Sequence, residues 1–431
     1  MDSVQAGKNL DRSFGEDGYF VNRKYIDLQG VCTLNGGKAI RACAMAVQLS
    51  SSMYHVLGIT PEGLADQAFG ENGEVAISIP GGHYAVPTSM LTAVVGGVEV
   101  CYVLGEVVHG DMFRAFISRL HVDGSLDTSF GKQGTVLLNY PVSVPYASNF
   151  SAQRVSVDDD AGSRLRTVPY QTGASSGHVI DGAGSLYVGF RSQEYGSWIF
   201  KVNGDGTLDP SFNQSGILPF SLYGRPASIG SLVYSPTHKR IVACGGEGQY
   251  AFVVGLSERG LLDPAFGENG YAIFEGPPGA TLHFAHVAAR NEKLAVVGRF
   301  EPRNSPDWGA VALFNSDGRL DSHFNNGQVL LIRRTGFAAR PHEVTLLSDG
   351  SLIAVGNSHI FVHGDIRWAG FAVAIRPDGV IDPNFGEEGW QLMEKMYWYH
   401  NAAPQDTHVL VGGVSHDFNF GVLCRVLFPS V

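Results

Sequence analysis

The feature that most constrains this chain is one short phrase written seven times. The copies are LDRSFGEDG (10–18), ADQAFGENG (65–73), LDTSFGKQG (126–134), LDPSFNQSG (208–216), LDPAFGENG (262–270), LDSHFNNG (320–327) and IDPNFGEEG (381–389). Every copy holds an Asp (Asp11, Asp66, Asp127, Asp209, Asp263, Asp321, Asp382) and, three residues on, a Phe (Phe14, Phe69, Phe130, Phe212, Phe266, Phe324, Phe385). Successive Phe residues lie 54 to 61 residues apart, except for one interval of 82. A fixed period of this length signals a repeat architecture in which each unit buries its apolar face on its neighbours.

The phrase has a local logic. An Asp carboxylate accepts backbone N–H groups that a first turn leaves unpaired. Pro follows it in three copies (Pro210, Pro264, Pro383), where its preset φ suits a first turn position. The residue after Phe is Gly in five copies and Asn in two (Asn213, Asn325), the types that most readily take positive φ. The expectation is a capped single turn that tucks an aromatic plug into the body and then exits sharply. Seven equivalent carboxylates do not make an asymmetric active site, so the Asp and Phe sets read as scaffold rather than as calcium ligands or catalysts.

Between the plugs each unit shows four short apolar runs. In the sixth unit they are QVLLI, HEVTLL, SLIAVG and GFAVAI, with SDG and PDG as turn signals. Seven units of four strands predict an all-β fold, a seven-bladed β-propeller with four antiparallel strands per blade; a solenoid of such sheets is the alternative. The chain ends on FGVLCRVLFPSV, which matches a third strand, and the N-terminal GYFV can supply the missing outer strand of the last blade. That pairing of N-terminal and C-terminal strands would close the ring and remove two sheet edges. Residues 1–431 read as one propeller domain with a long insertion at about 140–177.

Composition excludes some functions. A formal net charge of −11 argues against a nucleic-acid partner. No apolar run reaches membrane-span length. The opening MDSVQAGKNLDRSF has neither a basic n-region nor an apolar h-region, so the expected location is cytoplasmic, or exported by a leaderless route. The five cysteines (Cys32, Cys43, Cys101, Cys244, Cys424) form no CxxC pair and read as small buried thiols. No cofactor and no metal site is expected: HFAH (283–286) and HIFVH (359–363) lack an acidic partner, and VDDDAG (157–162) lacks the alternation of a calcium loop.

The phrases SRLHVDGSLDTSFGKQG (118–134) and KVNGDGTLDPSFNQSG (201–216) resemble the consensus of the bacterial delta-60 repeat β-propeller family. The resemblance spans almost the whole chain. It implies the propeller unit and supplies no catalytic residues. Members of that family are commonly bacterial surface or secreted proteins with extra sorting domains; neither a leader nor an additional domain is read here.

Function is expected on the face opposite the plugs. There the loops between second and third strands and the blade crossovers vary widely, and variable loops on a rigid scaffold are where binding residues usually sit. An aromatic opens each third strand on that face: Tyr54, Phe113, Trp198, Tyr250, Trp308, Trp368 and Phe420. These either fill gaps between widening blades or stack against a ligand. The crossovers add His83, Arg225, Arg340, His342 and His400, placed around the channel mouth and able to hold an anionic group. The leading reading is a binding propeller for a protein or glycan, with no recognisable catalytic set. The alternatives are a carbohydrate-active hydrolase or lyase with its site at the channel mouth, and a structural module of a secreted or toxin-associated assembly.

Overall fold

The computed structural model describes residues 8–429 apart from 26, 46–52, 80, 110–111, 140–174, 193–195, 223, 277–278, 304–305, 335–336, 363–364 and 416–419. The expected insertion at 140–177 thus falls almost wholly outside the described residues.

Seven antiparallel sheets form seven blades. Their inner strands are Gly30–Leu34, Gly82–Val95, Ser175–Ile180, Ser228–Ser235, Thr281–Arg290, Phe337–Leu346 and Met396–Pro404, in blades 1 to 7. Each inner strand is followed outward by a second, a third and an outer strand, and blade 3 gains a two-residue extension, Arg225–Pro226. Blade 7 has its own second and third strands, His408–Ser415 and Gly421–Leu427, but borrows its outer strand, Tyr19–Asn22, from the N-terminal segment. The register of that closure is Tyr19 opposite Cys424 through Asn22 opposite Gly421. The four-stranded blades, their number and the closure are those the repeat predicts.

The core is divided rather than central. Seven apolar clusters lie one between each pair of adjacent blades, and each holds one motif phenylalanine. All seven of those rings are at most 3% exposed. Removing one such side chain from water is worth about 1.5–3 kcal/mol, so the repeated phrase supplies one apolar weld per blade junction. All five cysteines are buried and free.

The turn itself refines the sequence reading. In every copy the Asp Oδ1 accepts the N–H two residues on, at 2.9–3.2 Å. The Asp carbonyl accepts the Phe N–H at 3.0–3.1 Å. This is an Asx turn over a β-turn, using the same carboxylate chemistry as a helix cap without a helix following. The residue after Phe has φ between 45° and 57° in all seven copies. In five blades its N–H reaches the carbonyl of a turn in the next blade, as from Gly131 to Asp205 at 2.8 Å.

Sequence reading missed a third partner of the motif. The second carboxylate oxygen meets a basic side chain in six blades: Arg425 with Asp11, Arg41 with Asp66, Arg119 with Asp127, Lys201 with Asp209, Arg240 with Asp263 and Lys293 with Asp321. All four Arg residues among them also lie over the motif ring, 4.0–5.2 Å from its centroid. The same four donate to a carbonyl of the next blade's turn, Arg119 to Gly204 at 2.6 Å for example. The signal was present as SRLHVDG and FKVNGDG, where the base precedes the Asp by eight residues.

Candidate functional site

Strands alternate in direction, so the inner-strand turns share a face with the motif loops, and the second-to-third loops share the opposite face with the blade crossovers. The first face is a near-uniform ring of latches. The second face and the channel are where the blades differ.

On the variable face the structure gathers side chains of blades 5 to 7. Asp307 and Trp308 open the third strand of blade 5, Arg340 lies on the inner strand of blade 6, Trp368 on its third strand, and Tyr397 and Trp398 on the inner strand of blade 7. Arg340 Nε donates to Asp307 Oδ2 at 2.5 Å, and its guanidinium lies 5.7 Å from the Trp368 centroid. Trp368 and Trp398 pack with centroids 4.7 Å apart and planes tilted by 51°, and Tyr397 flanks them at 6.1 Å. Arg333, exposed in the crossover between blades 5 and 6, covers Trp308 at 4.9 Å. Trp308, Trp368, Tyr397 and Trp398 are all half-buried. Each presents part of its surface to solvent and rests the remainder on the fold.

The other expected residues lie elsewhere. Tyr54 and Trp198 are buried in inter-blade clusters, Tyr54 stacked on Phe116 of the next blade at 5.3 Å. Tyr250 is half-buried beside the cluster between blades 3 and 4, and Phe420 is half-buried with Arg23 above its ring. Arg225 is exposed on the blade 3 extension. His83 and Phe113 lie on strands of blade 2, with side chains outside the described residues.

His342 and His400 occupy a different place, the channel. The inner strands of blades 2 to 7 each carry a register shift midway along, for instance between Pro341 and Glu343 and between Tyr399 and Asn401. A bulge of this kind adds a residue and re-aims side chains. The strands crowd together here: a Cβ on Gly230 would come within 2.4 Å of the Phe284 carbonyl oxygen in blade 5. Around this level run hydrogen bonds between neighbouring blades. Ser89 pairs with His178 Nδ1 at 3.2 Å. His286 Nδ1 accepts from Val344 N at 3.3 Å. Asn357 accepts from Tyr399 N at 2.7 Å, and Asn401 accepts from Val31 N at 3.1 Å. His400 Nε2 lies 3.0 Å from Asp27 Oδ2, which Gln29 also contacts.

From the bulges toward the motif face the channel holds a cavity of about 640 Å³. Its walls include His178, His286, His342, Glu343, Tyr399 and His400. Burial pulls His178, His286 and His342 down to about 4, against 6.5 for a free imidazole. Burial also pushes the Glu343 carboxyl up to about 8. The mouth lies at Arg290 and Asp406, 3.9 Å apart, on the motif face rather than among the variable loops. Among the described residues, no group of His, Cys, Asp and Glu is arranged to hold a metal ion, and no helix is long and apolar enough to cross a membrane.

A family model described as "Domain of unknown function (DUF5122) beta-propeller" matches residues 105–130, the stretch that ends on the motif Phe130 of blade 2, and supports a β-propeller family. No curated protein matches the chain. Among solved structures, the chain is similar to the Cps50 (Swd1) β-propeller domain of Myceliophteria thermophila, at 9% identity and a TM-score of 0.48, covering 94% of this chain and 98% of that one. It is also similar to the Dos1 propeller, at 10% identity and a TM-score of 0.44, covering 93% of this chain and 77% of that one.

Proposed function

We propose that this chain is a protein-binding propeller whose docking surface is the blade 5–7 sector of the variable face. The observation that carries the reading is the run Arg333, Trp308, Asp307, Arg340, Trp368, Trp398 and Tyr397, contiguous across three blades. Trp, Tyr and Arg are the residues that dominate protein–protein binding energy, and they act best where the fold holds them rigid. A protein fits better than a glycan, because Trp368 and Trp398 are packed on each other, centroids 4.7 Å apart and planes tilted by 51°, rather than set out as separate flat platforms for sugar rings. The same reading takes residues 1–431 as one domain built of delta-60 repeats of bacterial type.

The test is affinity capture from native extract, with the double variant Trp308→Ala, Trp368→Ala as comparison and a glycan array in parallel. The expected result is a defined protein retained by the wild type and lost by the variant, both melting within a few degrees of each other. A glycan captured through the same two residues would replace the protein reading. Capture unaffected by the double variant would end it.

A further inference from the structure

The channel cavity has a chemistry of its own, separate from the variable face. Its volume of about 640 Å³ falls within the range of small-molecule sites, roughly 300–1,000 Å³. Its walls are two-tiered. At the bulge level stand hydrogen-bonding groups, among them Ser231, His286, His342, Glu343 and Tyr399. Toward the mouth stand Ala288, Ala289, Leu346 and Pro404, small or apolar.

One polar group here is only partly satisfied by the fold. The Tyr399 side chain is 3% exposed, and its hydroxyl has no hydrogen bond of standard geometry although the Glu343 carboxyl adjoins it. A buried hydroxyl that faces one poorly aligned carboxyl keeps hydrogen-bonding capacity to spare for a ligand. Its ring is stacked on His342, centroids 5.7 Å apart, so it cannot swing away without opening that wall.

Charge narrows the ligand. At the mouth Arg290 is opposed by Asp406, 3.9 Å away, and at the bulge level His400 Nε2 faces Asp27 Oδ2 at 3.0 Å. His178, His286 and His342 are uncharged at pH 7, and so is most of Glu343. A site that offers many donors and acceptors, some apolar wall and no net charge matches a molecule with hydroxyl edges and C–H faces. We propose that the cavity is a binding site for a neutral, hydroxyl-rich small molecule of monosaccharide size, entered from the motif face, with Tyr399 and Glu343 among its hydrogen-bonding partners.

The experiment is ligand-observed NMR and calorimetry on the full chain at pH 7. The probes are glucose, galactose, mannose and myo-inositol, with glucuronate and glucosamine as charged counterparts. The expected result is saturable binding of a neutral probe in preference to both charged ones. Tyr399→Phe, which removes only the hydroxyl, weakens binding about tenfold, the loss of one buried hydrogen bond. Glu343→Leu, which removes both hydrogen-bonding oxygens at similar volume, weakens binding by a comparable factor. Trp308→Ala with Trp368→Ala leaves binding unchanged, which separates this site from the docking surface. The proposal is overturned by absence of saturable binding for all four neutral probes up to about 10 mM, weaker than any useful site. It is equally overturned by tighter binding of a charged counterpart, or by a Tyr399→Phe protein of unchanged melting temperature that binds as the wild type does.

Discussion

Two rings encircle this molecule, and they have diverged differently. The motif ring repeats one solution seven times: Asx turn, buried Phe, positive-φ residue, and in six blades a basic partner. The inner-strand ring keeps the bulge in six blades but fills the adjoining positions with different residues, Ser89, His178, Ser231, His286, Glu343 and Asn401. The backbone geometry is shared in both. Only in the second has the side-chain chemistry been released from the repeat.

The strongest way to break the comparison is to remove a plug. Phe130→Ala empties a fully buried ring site between blades 2 and 3, and a loss of about 3–5 kcal/mol is expected. Chemical denaturation measures it; a loss under 1 kcal/mol would show that the motif ring is not what joins the blades. Asp127→Ala comes next. It strands Arg119, which is 3% exposed, and should cost about 3 kcal/mol, because an unpaired buried charge is left behind.

The inner ring is sharpened by pH. Glu343 keeps its proton up to about 8 in the fold, whereas an ordinary Glu loses it near 4.5. Between those values the folded chain binds more protons than the unfolded one, so this residue lowers stability as pH rises. Glu343→Gln should therefore gain on the wild type by about 1.4 kcal/mol per pH unit across pH 5.5–7.5, and by nothing below pH 4. The histidines act in the opposite direction. With His178, His286 and His342 held near 4, the unfolded chain takes up protons first, and stability falls as pH drops from 6.5 toward 4. Melting curves of both proteins across pH 4–8 show whether the two slopes exist; parallel curves would refute the Glu343 assignment.

The smallest effect isolates the latch. Asp382 makes its Asx turn but has no ion pair among the described residues, since Ala374 stands where Arg119 and Lys201 stand in blades 2 and 3. Asp382→Ala should cost about 1 kcal/mol, the value of a cap alone. An effect equal to that of Asp127→Ala would mean that the basic partner adds nothing.

The same contrast explains how much was legible in sequence. A residue used seven times in one role advertises itself, so Asp11 through Asp382 and their phenylalanines led directly to the blade count and the closure. The basic partners were harder, because they come from the third strand in some blades (Arg119, Lys201, Arg425) and the second in others (Arg41, Arg240, Lys293). The channel was mostly hidden. A bulge shifts the two-residue alternation of a strand by one, so no pattern shows that His178, His286 and Glu343 share a level with His342 and His400. Trp398 and Tyr397 went unnoticed as partners of Trp368 for a similar reason: they belong to the next blade, some thirty residues away in the chain.

The borrowed strand of blade 7 has a consequence in time. Tyr19–Asn22 leaves the ribosome early, yet its mate, Gly421–Leu427, is made about four hundred residues later. At 5–20 residues per second this is a wait of roughly 20–80 s. Until then the nascent protein is an unfastened belt with a raw strand at its buckle, and this interval is when a chaperone, or a second nascent copy offering its own tail, would find it.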